Sequence, residues 1–187
     1  MIPEITNPPL YPLPIALGLG SNLGDRHQIL ASACKLIATY LHNDQAKFPR
    51  FSSIYESAPI NCPPNSPSFY NMVALVHSKQ PVGKIFNWIR SIETAFGRPL
   101  SRPKNEPRIL DLDILFYGNY RIESDQIQIP HPHILDRAFV LVPLLEIMPD
   151  LTLPYYSHDL PTVAARLVAS QSLQIVGKFN FSDQDVH

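Results

Sequence analysis

The chain is poor in charge. Asp, Glu, Lys and Arg make up 17% of its 187 residues and leave a net charge of −1, against about a quarter in an ordinary soluble domain. That balance does not suit broad nucleic-acid binding, which depends on many uncompensated Lys and Arg side chains. Cysteine is scarce as well: Cys34 and Cys62 form no C-x-x-C and no zinc spacing. Cys34 falls in a helical pattern and reads as a small core residue. No apolar run approaches the roughly 18 residues of a membrane span, and no signal-peptide pattern is seen. The expectations are a cytoplasmic protein with no membrane or nucleic-acid partner, acting as a monomer. The glycine-rich stretch Gly18-Leu19-Gly20-Ser21-Asn22-Leu23-Gly24 lacks a following Gly-Lys-Ser/Thr. It is neither a Walker A loop nor a dinucleotide fingerprint, and reads as a tight strand-to-helix turn. If the chain uses ATP, another element must hold the phosphates.

What is present is a hydrophobic chain, 45% apolar, with 20 prolines. Disorder is disfavoured. Prolines cluster near the N-terminus, over 59–67 and over 99–107, and these stretches should be stiff and irregular. Alternation predicts strands over 15–19, 51–55, 70–77, 110–117, 126–130 and 173–181. Helical spacing places Ile29, Ala33, Leu36, Ile37, Tyr40 and Leu41 on one face, with Asp25 or Ser21 as cap. A second stripe runs from Val82 to Phe96 and stops at Gly97. Further helices are predicted over 137–148, capped by Asp136 and interrupted at Pro143, and over 162–168. Gly118-Asn119 reads as a hairpin turn. The mixture predicts an α+β fold with a mostly antiparallel sheet. Residues 1–14 form an extended lead-in to a single domain over 15–187.

The most informative run is Arg108-Ile109-Leu110-Asp111-Leu112-Asp113-Ile114-Leu115-Phe116-Tyr117. On a strand, Asp111 and Asp113 share one face while Leu110, Leu112 and Ile114 share the other. Two carboxylates about 7 Å apart along a strand can converge on cations about 3.5–4 Å apart. The same pair could also be a solvated strand face. The apolar flanks argue for a central strand, where carboxylates need compensation. Arg98 and Arg108 bracket the preceding loop and suit phosphate. Arg102 and Lys104 read better as solvated side chains. His131-Pro132-His133 is a weak metal pattern, and His131 reads better as a donor to phosphate. Phe69 and Phe139 could sandwich a flat heterocycle, with Asn71 reading its edge.

Four blocks, in order and spacing, carry a resemblance. They are Gly18–Gly24; Tyr55-Glu56-Ser57-Ala58-Pro59 with Phe69-Tyr70-Asn71; Ile92-Glu93, Gly97-Arg98 and Pro107 to Ile114; and Ile129-Pro130-His131-Pro132 with Asp136 to Leu144. Together they resemble the 6-hydroxymethyl-7,8-dihydropterin pyrophosphokinases of folate biosynthesis, from about Ile15 to Leu153. The resemblance implies a three-layer α-β-α fold on a ferredoxin-like core. It implies transfer of the β,γ-pyrophosphoryl group of ATP to the pterin alcohol, with release of AMP. It implies two Mg²⁺ ions on Asp111 and Asp113, and closure of Arg98 and Arg108 over ATP. The pterin would meet Ser57, Pro59, Ile60, Phe69, Asn71 and Phe139. Glu93, Ile114, His131 and Arg137 would lie near the nucleotide. Asn105-Glu106 stands where many members carry Trp-Gly, and Pro132 where some carry tyrosine. A metal-dependent phosphohydrolase or nuclease, and a non-catalytic pterin or nucleotide binder, are the competing readings.

Overall fold

The computed structural model describes residues 8–41, 48–98, 106–153 and 156–179; Arg102, Lys104 and Asn105 lie outside them. In chain order the elements are β1 (Leu13–Ser21), α1 (Arg26–Leu41), β2 (Arg50–Phe51), β3 (Ser53–Ser57), β4 (Phe69–Ser78), α2 (Val82–Ala95), β5 (Asp111–Tyr117), β6 (Ile122–Glu123), β7 (Gln128–Ile129), α3 (Ala138–Ile147), α4 (Leu160–Ser170) and β8 (Leu173–Lys178). The main sheet runs β5-β1-β4-β3-β8, with β2 also on β4, and every pairing is antiparallel. The order β5-β1-β4-β3, with α1 and α2 as crossovers, is the split β-α-β arrangement of a ferredoxin-like core.

Period-two alternation divides the core into two layers. Ile15, Leu17 and Leu19 of β1 face one side, where they meet Leu30 and Ile37 of α1 and Ile85 and Ile89 of α2. Leu110, Leu112 and Ile114 join this layer as expected, but β5 is an edge strand rather than the central one expected; packing of α2 and α3 on its two faces, not a second neighbouring strand, explains its apolar run. Ala16, Val73, Leu75 and Leu115 face the other side, against Leu141 and Leu144 of α3 and Val163 and Leu167 of α4. Among the described residues no helix is long and apolar enough to cross a membrane.

Several local expectations shift. β1 runs two residues beyond each end of the predicted strand, so Gly18 and Gly20 are strand residues; only Gly24, at φ 69°, serves the turn. α1 buries Leu30, Cys34 and Ala38 and leaves Leu36 and Tyr40 each 39% exposed. Tyr40 instead stacks on Trp88 at 4.4 Å between ring centroids. Asp25 caps this helix, accepting the Gln28 N–H at 3.1 Å. Gly118 does turn the chain, at φ 51°, but β6 pairs with β7, so no hairpin joins β5 to β6. Helix α3 begins at Ala138 with Arg137, not Asp136, at its N-cap, and runs through Pro143. That proline is buried in the apolar helix, whose packing outweighs one missing backbone hydrogen bond.

Candidate active site

The face covered by α3 is apolar at Ala16, Val73, Leu75 and Leu115. Further along the same strands it becomes Gly18, Gly20, Phe69, Asn71, Asp111 and Asp113. Gly20 pairs with both Asn71 and Asp111, and Gly18 with Val73 and Asp113. Strand alternation places all of them on one face. The two glycines keep its floor low. A Cβ on Gly20 would lie 3.3 Å from Asn71 Oδ1 and 3.8 Å from Asp111 Cβ; one on Gly18 would lie 3.3 Å from Leu115 Cδ2. Gly18 and Gly20 therefore act through absent side chains, while Gly24 serves the expected strand-to-helix turn.

Asp111 is the hub of the charges. Its Oδ2 lies 2.7 Å from Arg108 Nη2 and its Oδ1 3.2 Å from Arg98 Nη1. Arg98 also contacts Glu93, an α2 carboxylate that is only 1% exposed. The Leu112 N–H donates to Glu93 Oε1 at 3.1 Å. Such neighbours make a buried carboxylate tolerable, and they carry Arg98 to the strand end. Asp113 has no ion-pair partner among the described residues. Arg108 has its guanidinium carbon 5.5 Å from the Phe69 ring centroid. Its Nε is buried and has no acceptor among the described residues, which leaves a donor for a ligand oxygen.

Asn22 fixes this arginine from a distance. Its Oδ1 accepts the Arg108 N–H at 2.7 Å, and its own N–H donates to the Arg108 carbonyl at 3.1 Å. Its Nδ2 donates to the Pro67 carbonyl at 3.3 Å. One amide, 2% exposed, thus ties the arginine loop to the end of the proline-rich loop. Sequence reading gave Asn22 no role; its place in the glycine block was the only signal.

His131 closes the rim. Its backbone N–H donates to the Leu115 carbonyl at 2.8 Å, and the His133 N–H donates to its Nδ1 at 3.2 Å. An accepting Nδ1 puts the imidazole proton on Nε2. Burial first, then the Arg137 charge, pushes its pKa down from 6.5 to about 4. The unfolded chain therefore takes up this proton near pH 6.5 and the folded chain only near pH 4. Stability contributed by the neutral ring is complete above pH 6.5 and falls as the pH drops toward 4. The melting temperature of the parent should fall more steeply across that window than that of His131→Gln. Equal slopes would contradict the assignment. His133 pairs with Asp136 at 3.3 Å, so the two histidines do not converge on one ligand.

Two cavities meet here. The first is lined by both aspartates, Phe69, Asn71, Phe139 and Arg137 among others. Ser57 and Ile60 also line it, and Pro59 does not. Asn71 Nδ2 donates to Ser57 Oγ at 2.9 Å, which fixes the orientation of its amide. The second lies past the edge of β5, against Glu93, Arg98 and Ile114. The cavities share Asp113 and His131. Arg137 lines the first and not the second.

Among the described residues no three His, Cys, Asp or Glu side chains gather as a metal cluster. Magnesium does not require one: it is commonly held by one or two carboxylates, with waters and substrate phosphates completing its shell. Asp111 and Asp113, on one face above two glycines, fit that donor set.

A family model described as 7,8-dihydro-6-hydroxymethylpterin-pyrophosphokinase (HPPK) matches residues 16–149. The chain belongs to this family. It is 38% identical over 138 residues to the 2-amino-4-hydroxy-6-hydroxymethyldihydropteridine pyrophosphokinase of Haemophilus influenzae, covering 74% of this chain and 83% of that one. It is 37% identical over 154 residues to the folic acid synthesis protein fol1 of Pneumocystis carinii, covering 82% of this chain and 20% of that protein. The chain thus spans about a fifth of the length of that relative. A crystal structure of Plasmodium falciparum HPPK-DHPS superposes with a TM-score of 0.64 at 15% identity, over 90% of this chain and 45% of that one. That likeness supports the fold, and membership rests on the sequence matches.

Proposed function

We propose that the chain transfers the pyrophosphoryl group of MgATP to 6-hydroxymethyl-7,8-dihydropterin, giving the pterin diphosphate and AMP. The observation that carries this reading is the meeting of two cavities at Asp113 and His131, with Asp111, Arg98 and Arg108 beside the junction. The first cavity suits a flat heterocycle: Phe69 and Phe139 offer ring faces and Asn71 a fixed amide. The second suits the nucleoside, with Ile114 on its wall. Asp111 and Asp113 would hold two Mg²⁺ ions, which when bound would supply neutralisation of phosphate charge.

The protein's own part is positioning and charge. The first cavity directs the pterin hydroxymethyl oxygen toward the β-phosphorus. A new O–Pβ bond forms, the bond from Pβ to the oxygen on Pα breaks, that oxygen leaving with AMP, and the hydroxyl proton passes to solvent water. Arg98 and Arg108, now paired with Asp111, would turn toward the phosphate oxygens as the negative charge on the departing AMP grows. His131 offers its Nε2–H as a neutral donor. Asn71 and Phe69 keep the acceptor in line, an effect of proximity rather than of a strong base. We place this monomeric unit in the cytoplasm.

The test is to mix purified protein, MgATP and the reduced pterin alcohol. AMP and a pterin diphosphate are expected; ADP, or phosphate released without pterin, would refute the reading. Gly20→Ala sharpens it. The added methyl presses on Asn71 Oδ1, whose amide is already held by Ser57. Pterin affinity should fall about tenfold, from a displaced hydrogen-bonding group, while affinity for an ATP analogue is retained. Equal losses for both ligands would contradict this placement.

A further inference from the structure

The segment that carries Arg137 and Phe139 is held by a residue near the far end of the chain. α3 has Arg137 as its N-cap, in extended conformation and with no side-chain capping bond. The first N–H groups of a helix have no partner within it. Here the Ala138 N–H donates to Gln171 Oε1 at 2.8 Å, and Gln171 Nε2 donates to the Asp136 carbonyl at 2.7 Å. The two bonds straddle Arg137, as a neighbouring strand would.

Gln171 is itself anchored. It closes α4, its N–H donating to the Leu167 carbonyl at 2.8 Å, and α4 is packed into the second core through Val163 and Leu167. Phe139 also borders a further hollow, lined by Ile60, Ala138 and Gln171 among others. The ring packs at the edge of the second core, where the backbone that carries it sets its place. Gln171 also lies outside residues 16–149, the part matched by the family model.

We propose that Gln171 is a positioning residue, whose side-chain amide bridges Asp136 and Ala138 and so sets the backbone from which Arg137 and Phe139 reach the pterin cavity. The proposal rests on the reading of that cavity as the pterin site. It makes α4, a helix remote from the aspartates, a determinant of acceptor binding.

Two variants test it. Gln171→Met keeps length and bulk and removes both hydrogen bonds. Gln171→Glu keeps the acceptor for Ala138 and loses the donor to Asp136. Affinity for the reduced pterin alcohol is measured with magnesium and a non-hydrolysable ATP analogue present, affinity for the analogue alone separately, and melting temperature for each variant. Gln171→Met should weaken pterin binding about tenfold and Gln171→Glu about threefold, the scale of two and one lost hydrogen bonds. Affinity for the analogue should stay within about twofold, because no α3 residue lines the second cavity. Unchanged pterin affinity in Gln171→Met would overturn the proposal. So would pterin and nucleotide affinities that fall together with the melting temperature, the mark of a purely structural residue. If Gln171→Met does not fold, the Gln171→Glu split decides by the same criteria. A parent protein that neither binds pterin nor forms AMP would overturn the reading of the site, and this proposal with it; a parent that binds pterin, with variants that bind it equally well, overturns the proposal alone.

Discussion

Asp113→Ala should abolish most magnesium-dependent turnover while leaving the melting temperature unchanged or slightly higher. Asp113 has no ion-pair partner among the described residues, so its removal leaves no cation stranded and relieves repulsion from Asp111. Asp111→Ala should lose turnover to a similar degree but behave differently in stability. Its carboxylate pairs with Arg108 at 2.7 Å and Arg98 at 3.2 Å, with all three side chains about four-fifths buried. Removing it deprives Arg108 of its carboxylate and leaves Arg98 with Glu93, at a cost of about 1–2 kcal/mol after allowance for solvent screening. For a chain of this size that is a drop of roughly 2–8 °C. In both variants the loss of turnover should be on the order of 10²–10³-fold or more, as for removal of a group that stabilises transition-state charge. Steady-state AMP formation across a magnesium titration, with thermal melts on the same samples, checks both halves. Near-normal turnover in Asp113→Ala would remove the metal assignment.

Arg108→Ala should slow single-turnover chemistry by roughly 10²–10³-fold with a much smaller effect on nucleotide affinity. The experiment is clean because Asn22 holds the Arg108 backbone through both its N–H and its carbonyl, independently of the guanidinium. The loop therefore keeps its place when the side chain is cut back. Arg108→Lys should recover little, since an ammonium cannot reproduce the planar fork that Asp111 meets now and phosphate oxygens would meet later. A single-turnover rate unaffected by Arg108→Ala would show that the charge leaving with AMP is met elsewhere.

Both predictions begin with residues that were legible in the sequence, and the limits of that legibility have physical causes. The run from Leu110 to Tyr117 needs only period-two geometry to place its aspartates opposite Leu112 and Ile114, and the burial of those leucine and isoleucine side chains bears this out. The stripes of α1 and α2 were readable for a similar reason, though in α1 the buried face was set by where the sheet lay, leaving Leu36 and Tyr40 outside. Gly24 forms the expected turn, but Gly18 and Gly20 misled because a glycine in a turn and a glycine beneath a cavity look alike in one dimension. What separates them is the neighbouring strand: Asp111 and Asn71 on either side of Gly20. Glu93 could be placed near the nucleotide only through the family resemblance. Its work as the buried anchor of Arg98 and of the Leu112 N–H came from the packing of α2 on β5.

Alternation and apolar spacing alone determined that this chain forms an α+β domain with two acidic side chains on one face of a buried strand. These are local properties, set by backbone period and by burial of the opposite face. Only the tertiary structure decided that, among the described residues, Asp113 has no counter-cation while Asp111 pairs with Arg98 and Arg108. Asn22 as the tie between loops and Gln171 as the brace of the α3 start were likewise decided there. These depend on strand register and on side-chain hydrogen bonds between residues far apart in the chain, for which no local pattern exists.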